Sequence, residues 1–260
     1  MKKTNRRIST YYYSPKKKLF QIVVKMMDTP GALGAVLEVL GSRVNLLGTM
    51  TYSLADGTAM LSSFAESISP SETPNKLSRL ISSAHVALES EVTESTDGLL
   101  VDKFHLGIES SMRTPMVLFS KDGIVHMFDG LVRVFGSGGD ALLYNEGYFV
   151  GEANAARIVS VIGSKLALRR MDDLLYLFSA RGWGQANWID GPASKHPTLR
   201  LEDCFECSAE NSVKKSCNFM RGYLDGWGKV FLEGVVKSKE TRCRFRGDDY
   251  CEFEMKVAPG

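Results

Sequence analysis

The chain has 260 residues, 44% hydrophobic and 24% charged, which is enough for two domains with real cores. No apolar run reaches bilayer-spanning length and no basic-then-apolar leader opens the sequence, so a cytoplasmic location without a membrane role is expected. The net charge of +2 conceals an asymmetry: residues 1–18 carry seven basic residues and no acid, which leaves −5 for the remainder.

That basic arm also holds Tyr11, Tyr12 and Tyr13. Cations meet phosphates and rings stack on bases, so residues 1–18 are a candidate nucleic-acid contact. The simpler reading is a solvated chain end. From Leu19 the texture changes. Leu19 to Lys25 suits a buried strand, and Asp28-Thr29-Pro30-Gly31 suits a turn that starts a helix, with Asp28 capping and Pro30 in the first turn. Leu33, Val36, Leu37 and Leu40 recur at helical spacing. Strands are predicted over 44–53 and 58–65 around Asp56-Gly57, a helix over 74–83 and a last strand over 86–92.

The order is βαββαβ, a ferredoxin-like arrangement, and with the Asp28-x-Pro30-Gly31-Ala32-Leu33 turn residues 19–95 resemble an ACT domain. The resemblance implies an amino-acid effector held near that turn and the following strand, commonly where two such domains meet, with Asp28, Gly31, Leu33 and Asn45 as candidates. The same residues also suit a turn that binds nothing.

Glu94 to Gly98 is polar and turn-rich, so residues 96–109 are expected to link two domains. Beyond them the sequence predicts a strand over 115–120, a helix over 124–135, a break at Ser137-Gly138-Gly139, a short strand over 141–144, helices over 145–161 and 164–180, strands over 185–189 and 198–207, and a helix from about Cys217 to Gly234. The glycine loop at 137–139 lacks the lysine and hydroxyl of a phosphate cradle, which excludes nucleotide binding there.

Cys217, Glu240, Cys243 and Cys251 are spaced by 23, 3 and 8 residues in a chain with five cysteines. A hairpin closing over Gly247-Asp248 sets Cys243 almost opposite Cys251, and Cys217 opens a helix. Three thiolates and a carboxylate suit structural zinc; small buried hydrophobes or a Cys243–Cys251 disulfide are the alternatives. Glu240 needs a bulge to join, because side chains three apart in a strand point to opposite faces. Cys204 and Cys207 form a CxxC that a continuous strand would split between its two faces, so no redox pair is expected there.

Four patterns carry a second resemblance: Tyr144-x2-Gly147-x3-Gly151, Gly182-Trp183-Gly184, Cys217-x4-Gly222-Tyr223-x2-Gly226 and Glu240-x2-Cys243-x3-Gly247-x3-Cys251. Together they make residues 110–257 similar to the 4-vinyl-reductase-type, or predicted hydrocarbon-binding, domain, whose relatives include sensor domains of phenol- and toluene-responsive activators and Golgi-transport subunits. The fold class implied is α+β, a mixed α/β ligand-binding domain of the NO-signalling/Golgi-transport type following the ferredoxin-like one. The resemblance implies zinc on Cys217, Glu240, Cys243 and Cys251 beside a chamber for a small hydrophobic or aromatic ligand. Phe135, Tyr144, Phe149, Trp183 and Trp188 are candidate lining residues, with His126 or His105 to orient a polar group. A ligand-sensing regulatory homodimer is expected. A reductase acting on a vinyl-bearing tetrapyrrole and a DNA-associated transcriptional regulator are the alternatives.

Overall fold

The structure is a computed structural model and describes residues 4–110, 114–208, 216–232 and 234–259. It divides into two compact units, residues 1–117 and 118–260. The class is α+β.

In the first unit, β1 (Tyr11–Tyr13) precedes the βαββαβ run β2 (Leu19–Met27), α1 (Ala32–Leu40), β3 (Val44–Ser53), β4 (Thr58–Ser67), α2 (Pro74–Ser82) and β5 (Ala87–Glu94). The antiparallel sheet has the order β3-β4-β2-β5. Period-two alternation sends Phe20, Ile22, Val24 and Met26 to one face, where they meet Val36, Leu40, Leu77 and Ile81 of the two helices.

The β2–α1 turn differs from the expectation. Gly31 itself is the N-cap, at φ +88, with no side-chain cap bond, so Asp28 does not cap the helix and Pro30 lies outside its first turn. Asp28 instead donates its backbone N–H to Gly57 O. Gly31 supplies the left-handed φ that a β-carbon would strain.

Two short strands follow, β6 (Leu99–Val101) and β7 (Ile108–Glu109), the latter paired with β8 (Pro115–Met116). β6 pairs with β1, so the tyrosine segment and residues beyond 98 belong to this unit. The Tyr12 ring packs 5.2 Å from Phe64, its hydroxyl donates to Leu47 O, and Leu100 and Leu19 complete a small cluster. Buried Gln21 donates to Asp102 and accepts from the Lys103 N–H. Lys17 and Lys18 pair with Glu66 and Glu94. Residues 11–18 are therefore docked rather than solvated, and part of the arm's positive charge is neutralised. Residues 1–3 of the arm lie outside the described residues.

The second unit holds α3 (Lys121–Phe135), α4 (Ser137–Ile162), α5 (Ser164–Arg169), α6 (Met171–Ala180), β9 (Gln185–Asp190), β10 (Thr198–Glu202), α7 (Asn218–Phe231), β11 (Gly234–Arg242) and β12 (Cys251–Pro259). Its antiparallel sheet has the order β11-β12-β10-β9. The strand expected over 141–144 is absent: those residues lie inside α4, which runs unbroken from Ser137 through the glycines read as a break. Gly139 is needed there because a β-carbon would meet Leu131 O at 2.6 Å. Conversely, the helix expected over 164–180 is interrupted at Arg170.

The closest packing in this unit is the crossing of α4 and α7. A β-carbon at Gly147 would lie 2.0 Å from Phe219 O, at Gly151 2.1 Å from Tyr223 O, at Gly222 1.9 Å from Tyr144 O, and at Gly226 2.0 Å from Tyr148 O. Each obstacle is backbone, so it cannot swing aside as a side chain would. Gly222→Ala should lower unfolding free energy in urea by about 3 kcal/mol or leave the protein insoluble, since overpacking a core typically costs about 1–3 kcal/mol. A loss below about 1 kcal/mol, the size of the glycine–alanine difference in an unstrained helix, would show that the crossing is not this tight.

Candidate metal centre

The C-terminal hairpin forms as expected. β11 and β12 pair from Gly234↔Pro259 to Arg242↔Glu252, with a bulge between Glu240 and Arg242. That bulge is the irregularity Glu240 requires: it brings a carboxylate oxygen within 4.8 Å of the Cys217, Cys243 and Cys251 sulfurs. The turn is held by Asp248, whose carboxylate accepts from Cys243 N at 2.7 Å, and by Gly247 at φ +92.

Cys217 is the N-cap residue of α7. The first turn of a helix has backbone N–H groups without intrahelical partners, and two glutamates supply them here. Glu240 accepts from Cys217 N at 3.2 Å. Glu206, fully buried, accepts from Phe219 N at 3.2 Å and Met220 N at 2.9 Å. Both carboxylates thus sit where the helix dipole favours negative charge. Burial raises the Glu240 pKa against these stabilising contacts, and Arg246 lies 3.3 Å from its second oxygen.

The other half of the site was not expected from the sequence. β10 stops at Glu202, Asp203 turns the chain at φ +51, and residues 205–207 form a 3-10 turn closed by Cys207 N to Cys204 O. The CxxC is therefore wound rather than extended, and both sulfurs reach the cluster. Cys207 Sγ lies 2.9 Å from Cys217, 3.8 Å from Cys243 and 3.5 Å from Cys251. Cys204 lies 3.9 Å from Cys217. Cys217 is 3.8 Å from Cys243 and 3.7 Å from Cys251. All five cysteines are free and buried. The CxxC spacing, familiar in zinc sites, was the available signal; reading residues 198–207 as one strand concealed it.

These thiols cannot all ionise in a dry pocket without a cation, because each new thiolate repels the last. The hydrogen bond from Cys204, then those from its other neighbours, drives Cys251 far below the ordinary thiol range. The corresponding contacts, with Cys204 again foremost, push Cys207 and Cys217 up. Two overlapping quartets, Cys204/Cys207/Cys217/Cys251 and Cys217/Glu240/Cys243/Cys251, have ligand atoms spaced to hold one ion.

The aromatic candidates are less concentrated. Trp183 belongs to a packed cluster, 4.8 Å from Tyr223, 5.5 Å from Phe205 and 6.1 Å from Phe178. Phe128 and Phe219, 5.1 Å apart, extend it. Tyr144 is tied elsewhere: its hydroxyl donates to the buried Asp225 carboxylate and accepts from Lys237 at 2.8 Å. Burial, then the Asp225 hydrogen bond, raises its pKa. Trp188 lies on β9 with a buried Nε1 that has no partner. Phe135 and Phe149 are exposed. His126 is also exposed, its Nδ1 donating to Asp122 O. His105 is in the first unit, paired with Asp102. The structure thus gathers Trp183 with rings that the sequence did not single out, and does not gather Phe135, Phe149 and His126 around a cavity.

In the first unit Asp28, Gly31, Leu33 and Asn45 are all exposed. The first three share the β2–α1 end. Asn45 pairs with Glu66 at the opposite end of the sheet, beside the start of β2, so one chain does not bring it to the turn.

Residues 197–257 match the 4-vinyl-reductase domain family. The match spans β10, the CxxC turn, α7 and the hairpin. The uncharacterized protein MJ0150 of Methanocaldococcus jannaschii is 37% identical over 60 residues, 23% of this chain and 35% of that one. The uncharacterized protein MJ0745 of the same organism is 30% identical over 95 residues, 36% of this chain and 51% of that one. The chain thus spans about a third to a half of the length of these curated relatives. Among solved structures, the phenol-responsive sensory domain of the transcription activator PoxR with phenol superposes with a TM-score of 0.47 and 18% identity, over 56% of this chain and 78% of that one.

Glu206 gives a test of the local electrostatics. Glu206→Gln keeps the shape but removes the charge that faces the α7 N-terminus, and should lower unfolding free energy by about 1–2 kcal/mol. Glu202→Gln, on a half-exposed side chain, should stay within about 0.5 kcal/mol of wild type. Equal urea midpoints for all three proteins would refute a capping role.

Proposed function

We propose that this protein is a ligand-sensing regulatory protein whose C-terminal unit holds zinc at the thiol cluster and takes a small hydrophobic or aromatic molecule among the adjoining rings. The observation that carries the reading is the position of Phe205. It lies between Cys204 and Cys207, and its ring packs against Trp183 at 5.5 Å, Phe219 at 6.0 Å and Phe128 at 6.3 Å. A molecule that parts those rings must move the turn that carries two thiols.

The donor set suits the metal. Thiolates favour zinc, copper(I) and iron–sulfur centres over hard cations. When bound, zinc supplies a divalent charge and a tetrahedral geometry that tie the CxxC turn, the α7 N-terminus and the β11–β12 turn together, and a closed ligand set is structural. Cys217, Cys243 and Cys251 are common to the resemblance and the observed cluster; Glu240 completes the set implied by the resemblance.

The remaining roles rest on less. The exposed side chains of Phe135, Leu142 and Phe149 are better suited to meeting a second copy than to lining a chamber, in keeping with a homodimer. An amino-acid effector at Asp28, Gly31 and Leu33 of an ACT-like first unit would need Asn45 to come from a partner. Nucleic-acid binding by residues 1–18 loses support, because Lys17 and Lys18 are engaged by glutamates. No helix among the described residues is long and apolar enough to cross a membrane.

Native mass spectrometry of the purified protein, set against a denaturing spectrum, should give one zinc per chain, lost on acidification because protons compete for the thiolates. A phenol-class library should yield a compound that raises the melting temperature and changes tryptophan fluorescence through Trp183. A metal-free protein that no aromatic or aliphatic compound stabilises would overturn the reading.

A further inference from the structure

We propose that Cys207 is a metal ligand, so that the centre is an all-sulfur set of Cys207, Cys217, Cys243 and Cys251, and that Glu240 is a positioning residue outside it. The inference rests on the metal-holding reading of the thiol cluster and changes its chemistry.

Zinc–sulfur bonds of about 2.3 Å in a tetrahedron set neighbouring sulfurs about 3.8 Å apart. Cys207–Cys243, Cys207–Cys251, Cys217–Cys243 and Cys217–Cys251 are separated by 3.8, 3.5, 3.8 and 3.7 Å. Cys243 and Cys251 are within 4.8 Å of each other. The 2.9 Å separation of Cys207 and Cys217 must widen. Four sulfurs are thus already close to the corners a tetrahedral ion requires.

Glu240 has other work. One oxygen accepts from the Cys217 N–H and the other faces the Arg246 guanidinium, contacts that orient the thiol-bearing N-cap and neutralise the carboxylate. To ligate, it would have to loosen one of these while a sulfur stood by. A carboxylate that holds a ligand residue rather than the ion is a common outer-shell arrangement. Cys204 is the fifth sulfur, 3.9 Å from Cys217, and stands outside the quartet. On binding, thiol protons leave to solvent, and the charge of the four thiolates is offset by the ion and by the α7 N-terminus.

The test uses the full chain loaded with Co²⁺ in place of zinc, with metal stoichiometry measured by native mass spectrometry. Thiolate-to-cobalt charge-transfer absorption per bound ion counts sulfur ligands. Cys207→Ser should lose about a quarter of that absorption, one bond in four, whereas Glu240→Gln and Cys204→Ser should keep all of it. Should Cys207→Ser fail to fold, X-ray absorption on the wild-type zinc protein decides without a variant: four sulfurs at about 2.3 Å support the proposal, and three sulfurs with one oxygen at about 2.0–2.2 Å overturn it. Full absorption in Cys207→Ser, or a loss in Cys204→Ser instead, also overturns it. A bound ion with an oxygen ligand defeats this assignment alone, whereas a chain that binds neither Co²⁺ nor Zn²⁺ defeats the metal reading itself.

Discussion

Backbone-to-backbone contact between α4 and α7 is the constraint on which the second unit depends. Four glycines, two on each helix, let main chain meet main chain where any side chain would collide with a carbonyl. Such a crossing fixes both the rotation and the axial position of α7, because a shift of one residue would present a β-carbon to the opposing backbone. The N-terminus of α7 is therefore delivered to one place, between the end of β10 and the β11–β12 turn. Asn218, the first helical residue, reinforces the register by donating to Asp140 in the first turn of α4.

What gathers at that point follows from the chemistry of a helix end. The exposed amides of the first turn draw in carboxylates, and the chain supplies Glu206 from one side and Glu240 from the other. Each lies next to cysteine in sequence or in the hairpin, so satisfying the amides also collects the sulfurs. The same contacts that complete the backbone hydrogen bonding thus build a soft, electron-rich pocket. In the absence of a cation such a pocket carries little charge, since one thiolate is favoured at the expense of its neighbours. A divalent ion would relieve that conflict, and its binding free energy would add to that of folding.

Much of the first unit was legible from periodicity: the strand boundaries 44–53 and the βαββαβ order appear as read, because amphipathic patterns and turn residues act locally. The turn cap was not, since Asp28 and Gly31 are both plausible there and only the chain's path decides between them. In the second unit the Cys217, Cys243 and Cys251 convergence was readable from hairpin register. Glu240's bulge could be required but not located. Cys204 and Cys207 escaped because β propensity over 198–202 gives no sign of stopping, whereas Asp203 in the left-handed region ends the strand in a single residue. The glycines at 138 and 139 misled for a related reason: glycine marks a break in isolation, but Gly139 is inside a helix because Leu131 passes too close for anything larger. Non-local contact decided each of these cases.

The short turn from Cys204 to Cys207 joins the two halves of the second unit's core. Its flanking residues face the sulfurs, Phe205 faces the rings of Phe128, Trp183 and Phe219, and Glu206 reaches the α7 amides. Four successive residues thus touch metal-type ligands, an aromatic cluster and a helix terminus. A 3-10 turn of this length has no slack, so displacing the Phe205 ring must rotate its neighbours or unwind the turn. Either movement changes the 2.9 Å distance from Cys207 to Cys217. Ligand occupancy and metal geometry would then be coupled by covalent adjacency, and by linkage an ion that fixes the turn would alter affinity for the ligand by the same factor that the ligand alters affinity for the ion.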